Sequence, residues 1–278
     1  MAAELRTAVS ICLASNFPIN IIWGPGRVQI YNDGYWPICG DKHPHSMGQD
    51  YKECWFSAWD AVGKPFENAS AGQTDFLVNQ RMFLDRNGYL EETFFTFSLS
   101  PIRDESGGVG GLFHPVTEMT QQTLAERRLQ VLRDIADNSA EAQSVVAACA
   151  AISRTLTDHA LDVSFALLYL LDADGKQAHL AATAGLAPGT LASPVAVDLG
   201  APPTVCWPLT EAVRDRHVVE VAELAERFGP LPAARTPNPR ARRSCCRSPS
   251  RDSRTRSPSW SPASARDGPW TRRTARST

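Results

Sequence analysis

The 278 residues give room for two core-burying domains, and the balance of 28 basic against 30 acidic side chains hides a split, because Arg235 to Thr278 holds twelve arginines and two aspartates. The body is therefore near −12 and the tail near +10. Met1 to Leu13 lacks the basic start and apolar centre of a secretory leader, no apolar run approaches the roughly 20 residues that span a bilayer, and the seven cysteines show no paired zinc spacing, so a cytoplasmic protein with free thiols is expected.

Leu5, Val9, Cys12 and Leu13 share one face of a helix over 3–14. Residues 18–23 and 27–31 read as strands joined by the turn Gly24-Pro25-Gly26. Asn32, a good N-cap residue, opens a helical segment with Asp33-Gly34-Tyr35. Asp41-Lys42-His43-Pro44-His45 has two histidines and an aspartate but no visible fourth ligand, so it reads as a surface loop and no metal site is assigned. Over 50–71, Trp55, Phe56, Trp59, Val62 and Phe66 recur at mostly helical spacing and read as core.

Residues 76–112 predict three antiparallel strands. Asn87-Gly88 takes positive φ at little cost and closes the first hairpin. Phe95, Phe97 and Leu99 alternate with Thr96 and Ser98, giving one apolar and one polar face. Asp104-Glu105-Ser106-Gly107-Gly108 breaks the chain before the apolar run 109–113. Nothing here is placed like a nucleophile with its base, so the stretch is a scaffold that holds something.

A D-x-x-G hairpin, a long strand, Pro101-Ile102-Arg103-Asp104-Glu105 and a closing strand resemble the C-terminal half of a PAS sensory domain. The resemblance implies an α+β fold, a five-stranded antiparallel sheet with helices on one face, over 1–117. The helix over 3–14 would cap the sheet or pair with a second copy, unless it is a frayed leader. The pocket would be lined by Ile22, Tyr35, Trp59, Phe76, Phe95 and Leu112, any of which can also be plain core. No Asn-Cys-Arg-Phe string for a flavin photoadduct occurs, and 50–82 has no histidine for haem. Cys206 lies near the region where a bilin-binding cysteine would sit, but no histidine follows it at once, so no cofactor is expected.

Thr117 is placed to cap a linker helix over 118–139. Ala125, Leu129, Leu132 and Ala136 recur at steps of four, three and four, a two-helix seam, with Glu126, Arg127, Arg128 and Arg133 on its charged side. The helix resembles the signalling linker of sensor kinases, which implies a homodimer; a simple interdomain helix is the other reading. Beyond it, Val145, Val146, Cys149, Ile152 and Leu156 form a helical stripe. An apolar strand over 163–171, the turn Asp172-Ala173-Asp174-Gly175, a partner strand over 177–183, a helix over 207–216 and a strand over 217–221 follow. This order resembles an incomplete GAF domain over 140–234.

Residues 235–278 contain no Leu, Ile, Val, Phe or Met and read as a disordered Arg/Ser/Pro tail. Read one base out of frame, their serine, cysteine and tryptophan codons become apolar, and two strand-like runs emerge near 243–249 and 257–264. A frameshift between about 231 and 243 is therefore expected, with no selected function for the tail. His159-Ala160-Leu161-Asp162 and His217-Val218-Val219-Glu220 do not fit a phosphoacceptor motif, and no nucleotide loop occurs. The chain reads as the input half of a two-component histidine kinase without its catalytic part. Such a module would bind a small ligand or a partner and feed downstream kinase and response-regulator machinery. The alternatives are the input of a metal-dependent serine phosphatase or a cyclase, or a nucleic-acid binder using its basic tail.

Overall fold

The computed structural model describes residues 2–200 and 207–232, and the backbone of 244–246. Helix α1 (Ala3–Ala14) leads into strands β1 (Ile19–Trp23) and β2 (Val28–Tyr31). A helical stretch follows: α2 (Trp36–Cys39), a 3-10 turn at Gly40–Lys42, α3 (Tyr51–Cys54), a second 3-10 turn at Phe56–Ala58, and α4 (Trp59–Ser70). Three long strands complete the first unit, β3 (Asp75–Leu84), β4 (Glu91–Arg103) and β5 (Val109–Glu118). All pairings are antiparallel and the order is β2-β1-β5-β4-β3.

The inner face of this sheet packs under α2–α4 through one apolar cluster that includes Ile22, Tyr35, Trp55, Val62, Phe95, Phe97, Leu99 and Leu112. Helix α1 covers part of the other face, in line with the reading that the helix over 3–14 caps the sheet, so cover is not confined to one face. Cys12, Ile19 and Ile21 are buried there, with Leu5, Ala8, Ile30 and Phe113 packed around them, so α1 covers β1, β2 and β5. Ile19 and Ile21 alternate with Asn20 and Ile22, and all four are buried, so β1 is covered on both faces.

Asn32 opens the helical stretch as expected: its Oδ1 accepts from Tyr35 N–H three residues on, and its backbone carbonyl accepts from Trp36 N–H. It is buried, its Oδ1 also accepts from Ile19 N–H, and the two hydrogens of its amide nitrogen are shared among the carbonyls of Cys12, Ser15 and Phe17, which ties the α1–β1 connection to the start of the helical stretch. Three local expectations differ. The helix over 50–71 breaks at Trp55, whose indole turns inward to donate to Gln29 Oε1 at 3.2 Å. Phe56, expected in the core, is thereby turned out and is 76% exposed. Thr117 lies in β5 opposite Thr96, and the helix begins at Thr120 instead.

Helix α5 (Thr120–Ser139) is stitched to the sheet at its root. Met119 N–H donates to Phe94 O at 2.7 Å, and Thr120 Oγ1 accepts from Phe94 N–H at 3.1 Å. Helix α6 (Val145–Asp158), capped by Ser144 Oγ, packs against α5 and against β7 (Gln177–Ala184). With β6 (Ala166–Leu171) and β8 (Ala196–Asp198), β7 forms a three-stranded antiparallel sheet in the order β6-β7-β8. Short elements follow, α7 (Leu209–Asp215), β9 (Val219–Val221) and α8 (Leu224–Phe228), around Trp207 stacked on Phe228 at 4.3 Å. The tail expected to be disordered contributes a strand, β10 (Ser244–Cys246), paired antiparallel with β9. Ser244-Cys245-Cys246 is a short break in the Arg/Pro run, which leaves three backbone units free to pair. Otherwise the tail, the reading-frame expectation and Cys206 lie outside the described residues.

Candidate functional site

A partly open cavity of about 30 Å³ lies between the sheet of the first unit and its helices. That is room for about one or two water molecules. Tyr35 and Ile38 reach it from α2 and its entry, Tyr51, Trp55, Ala58 and Val62 from α3–α4, Met82 and Leu84 from β3, Phe95 and Phe97 from β4, and His114 and Val116 from β5. Among the described residues no charged side chain lines it.

The polar groups in its wall are held in defined states. His114 Nδ1 lies 2.9 Å from Ser98 O, which can only accept, so the ring proton sits on Nδ1. Nε2 then accepts from Tyr51 OH at 3.2 Å. Burial pushes the imidazole down to about 4, against which the Ser98 carbonyl works weakly, so it is neutral at pH 7. Burial likewise raises the Tyr35 and Tyr51 hydroxyls well above the ordinary range. Behind Tyr35 and Trp55, Asn20 Nδ2 donates to Gln29 Oε1 at 3.0 Å. Both side chains are fully buried, Gln29 also lies against the Cys54 thiol, and among the described residues Asn20 Oδ1 meets no hydrogen-bond partner.

Of the residues named from sequence, Tyr35 and Phe95 line the cavity. Ile22 and Leu112 belong to the same core without reaching it, and Trp59 packs at the cluster's edge. Phe76 is elsewhere: it pairs with Ser98 on the opposite face and is 67% exposed. Counting back from the hairpin, Leu84, Met82 and Gln80 face inward, which would carry Phe76 with them. A register shift between Leu77 and Gln80, with Asn79 at φ +50°, reverses the alternation and turns Leu77 inward.

The residue that sequence reading missed is Arg86, in the β3–β4 turn. It is buried and makes a two-pronged pair with Glu118 at 2.7 and 2.8 Å, at the end of β5, two residues before α5. Its Nε donates to Glu91 at 2.7 Å, and its Nη1 reaches the carbonyl of cavity-lining Ile38 at 3.4 Å. In return Asp41 N–H donates to Arg86 O at 2.9 Å. Burial works to lower the guanidinium pKa, but the Glu118 and Glu91 bonds outweigh it and hold the group above its ordinary value. A second bridge runs farther along α5: buried Glu92 accepts from Arg81 at 2.6 Å and from Arg127 at 3.0 Å, and Arg127 also pairs with Asp162.

Ala125, Leu129, Leu132 and Ala136 form an exposed stripe on α5, with Leu129 53% and Leu132 62% exposed, while Val131 is buried on the other side. His43 of the polar loop is engaged by Tyr31 OH at 2.9 Å and lies against Trp36. Among the described residues, no group of three or more His, Cys, Asp and Glu side chains could hold a metal ion. No helix among them is long and apolar enough to cross a membrane.

No protein-family model and no curated protein matches this chain. Solved structures similar to it include the Rhodobacter sphaeroides LOV protein, with 9% identity and TM-score 0.35 over 49% of this chain and 77% of that one. The PAS domain of Bordetella pertussis BvgS has 15% identity and TM-score 0.29 over 47% and 97%. A sensory box sensor histidine kinase from Vibrio cholerae has 18% identity and TM-score 0.28 over 42% and 90%. The five-stranded antiparallel sheet, in the order given above and with helices across its inner face, makes the first unit PAS-like.

Proposed function

We propose that the chain is the sensory input portion of a cytoplasmic signalling protein, in keeping with a two-component histidine kinase. In this reading the PAS-like unit biases α5 between two arrangements. Helix α5 passes that bias to a GAF-like unit and, through pairing with a second copy, to downstream kinase and response-regulator machinery. The observation that carries the reading is Arg86: one buried side chain touches a carbonyl of the cavity wall and the carboxylate at the root of the exit helix. A change in the cavity that shifts Ile38 therefore acts on the ion pair that holds the end of β5, two residues before α5.

The ligand is a small neutral molecule. A charged one would enter a wall with no opposite charge, at a desolvation cost of several kcal/mol. Asn20 Oδ1 supplies a spare acceptor just behind that wall. Anything larger than about two waters requires the segment over 51–70 to lift. Its break at Trp55 and the proline inside α4, Pro65, are the points at which it can yield. Phenol and benzoate, one ring with and without a charge, test this by thermal unfolding of the whole chain and of the cavity-filling variant Ala58→Phe. Phenol should raise the midpoint of the parent but not of Ala58→Phe, with benzoate inert in both. An equal phenol shift in the two proteins, or none, removes this cavity as the sensing site.

A further inference from the structure

We propose that α5 pairs with α5 of a second copy of this chain in the antiparallel sense, an inference that rests on the relay reading above. The helix has two sides. Thr120 and Val131 are buried on the side facing the sheet and α6, whereas Ala125, Leu129, Leu132 and Ala136 make a continuous exposed stripe on the other. Their steps of four, three and four are those of a seam that a second helix fills. Two leucines a turn apart, flanked by alanines, let another such helix approach closely.

Charge beside the seam selects the direction. Glu126 and Arg133 each follow a seam residue, and Arg128 precedes one. In a parallel pair, a residue preceding the seam faces the partner residue five positions farther on. Arg128 of each copy would then meet Arg133 of the other, two like-charge contacts by symmetry. In an antiparallel pair with Leu129 set against Leu132, the residues following the seam face each other instead. Glu126 of each copy then meets Arg133 of the other, giving two opposite-charge contacts from one two-fold axis. Like charges at such positions destabilise by about as much as unlike ones stabilise, so the same helix disfavours one direction and favours the other. The hydrogen bonds these two side chains make are to glutamines of the same helix, Gln122 with Glu126 at 2.9 Å and Arg133 with Gln130 at 3.2 Å. Both side chains are exposed and can turn to a partner.

Charge reversal at one site separates the two directions by sign. In the antiparallel pair Arg133→Glu places Glu126 against a glutamate twice, so the dimer dissociation constant of the whole chain, read by sedimentation equilibrium, should rise about tenfold. The double variant Glu126→Arg/Arg133→Glu should restore it. In a parallel pair Arg133→Glu would instead sit opposite Arg128 and tighten the dimer. A tighter or unchanged dimer overturns the antiparallel pairing while leaving a dimeric relay standing, and a parent chain that stays monomeric at all concentrations overturns both. Circular dichroism of Arg133→Glu checks that α5 stays helical, and a loss of helix that the double variant does not repair also counts against the proposal.

Discussion

Arg86, His114 and Asn32 are three buried polar residues with three different jobs: one joins elements, one sets the character of the cavity, and one locks a chain entry. Asn32 serves five backbone groups from a single amide: its two N–H hydrogens are shared among three carbonyls, and its oxygen accepts from two N–H groups. Asn32→Ala leaves those groups without their partner and should cost about 2–4 kcal/mol in urea unfolding. Asn32→Asp should do no better, because a carboxylate cannot donate to the carbonyls. His114 titrates near 4 when folded and near 6.5 when unfolded. Between those values only the unfolded chain carries the proton, so this group's contribution to stability is complete above about 6.5 and falls away as pH drops toward 4. Stability should decline by roughly 2 kcal/mol between pH 7 and 5. In His114→Gln that part of the slope should vanish; an unchanged slope would mean that His114 is not the group titrating.

At the scale of elements, much of the PAS-like unit is legible in the sequence. Alternation at Phe95, Phe97 and Leu99 gives the faces of β4, and Asn87-Gly88 and Gly107-Gly108 give its turns, because these patterns are local. What is not legible depends on contacts far apart in the chain. Nothing marks Arg86 among the other arginines until the β3–β4 turn folds back onto Glu118, 32 residues away. The orientation of Phe76 depends on one extra residue at Asn79, which no pattern of apolar residues announces. His114 alternates with Leu112 and Val116 on the inner face of β5, a signal present in the sequence but masked by its polarity. One close approach is of the same long-range kind: Gly111 faces Trp23 across the β1–β5 pair, and a Cβ there would lie 2.5 Å from the indole and 2.7 Å from Ile22 O. Gly111→Ala must push two strands apart and should cost about 1–3 kcal/mol, read as a lowered denaturant midpoint.

For the whole molecule, the central point is connection. The cavity, the β3–β4 turn, the end of β5 and the exit helix form one contiguous path, and the Glu92–Arg127–Asp162 pairs extend it to the segment before β6. If the path transmits, disturbing the cavity should alter α5, and breaking Arg86–Glu118 should stop the disturbance from arriving. Amide hydrogen exchange over 120–139 measures this directly in a cycle of the parent chain, Ala58→Phe, Glu118→Gln and the double variant. Filling the cavity should change α5 exchange by about fivefold or more when Glu118 is intact and leave it unchanged on the Glu118→Gln background. An equal effect of Ala58→Phe on both backgrounds, or none on either, would contradict the account.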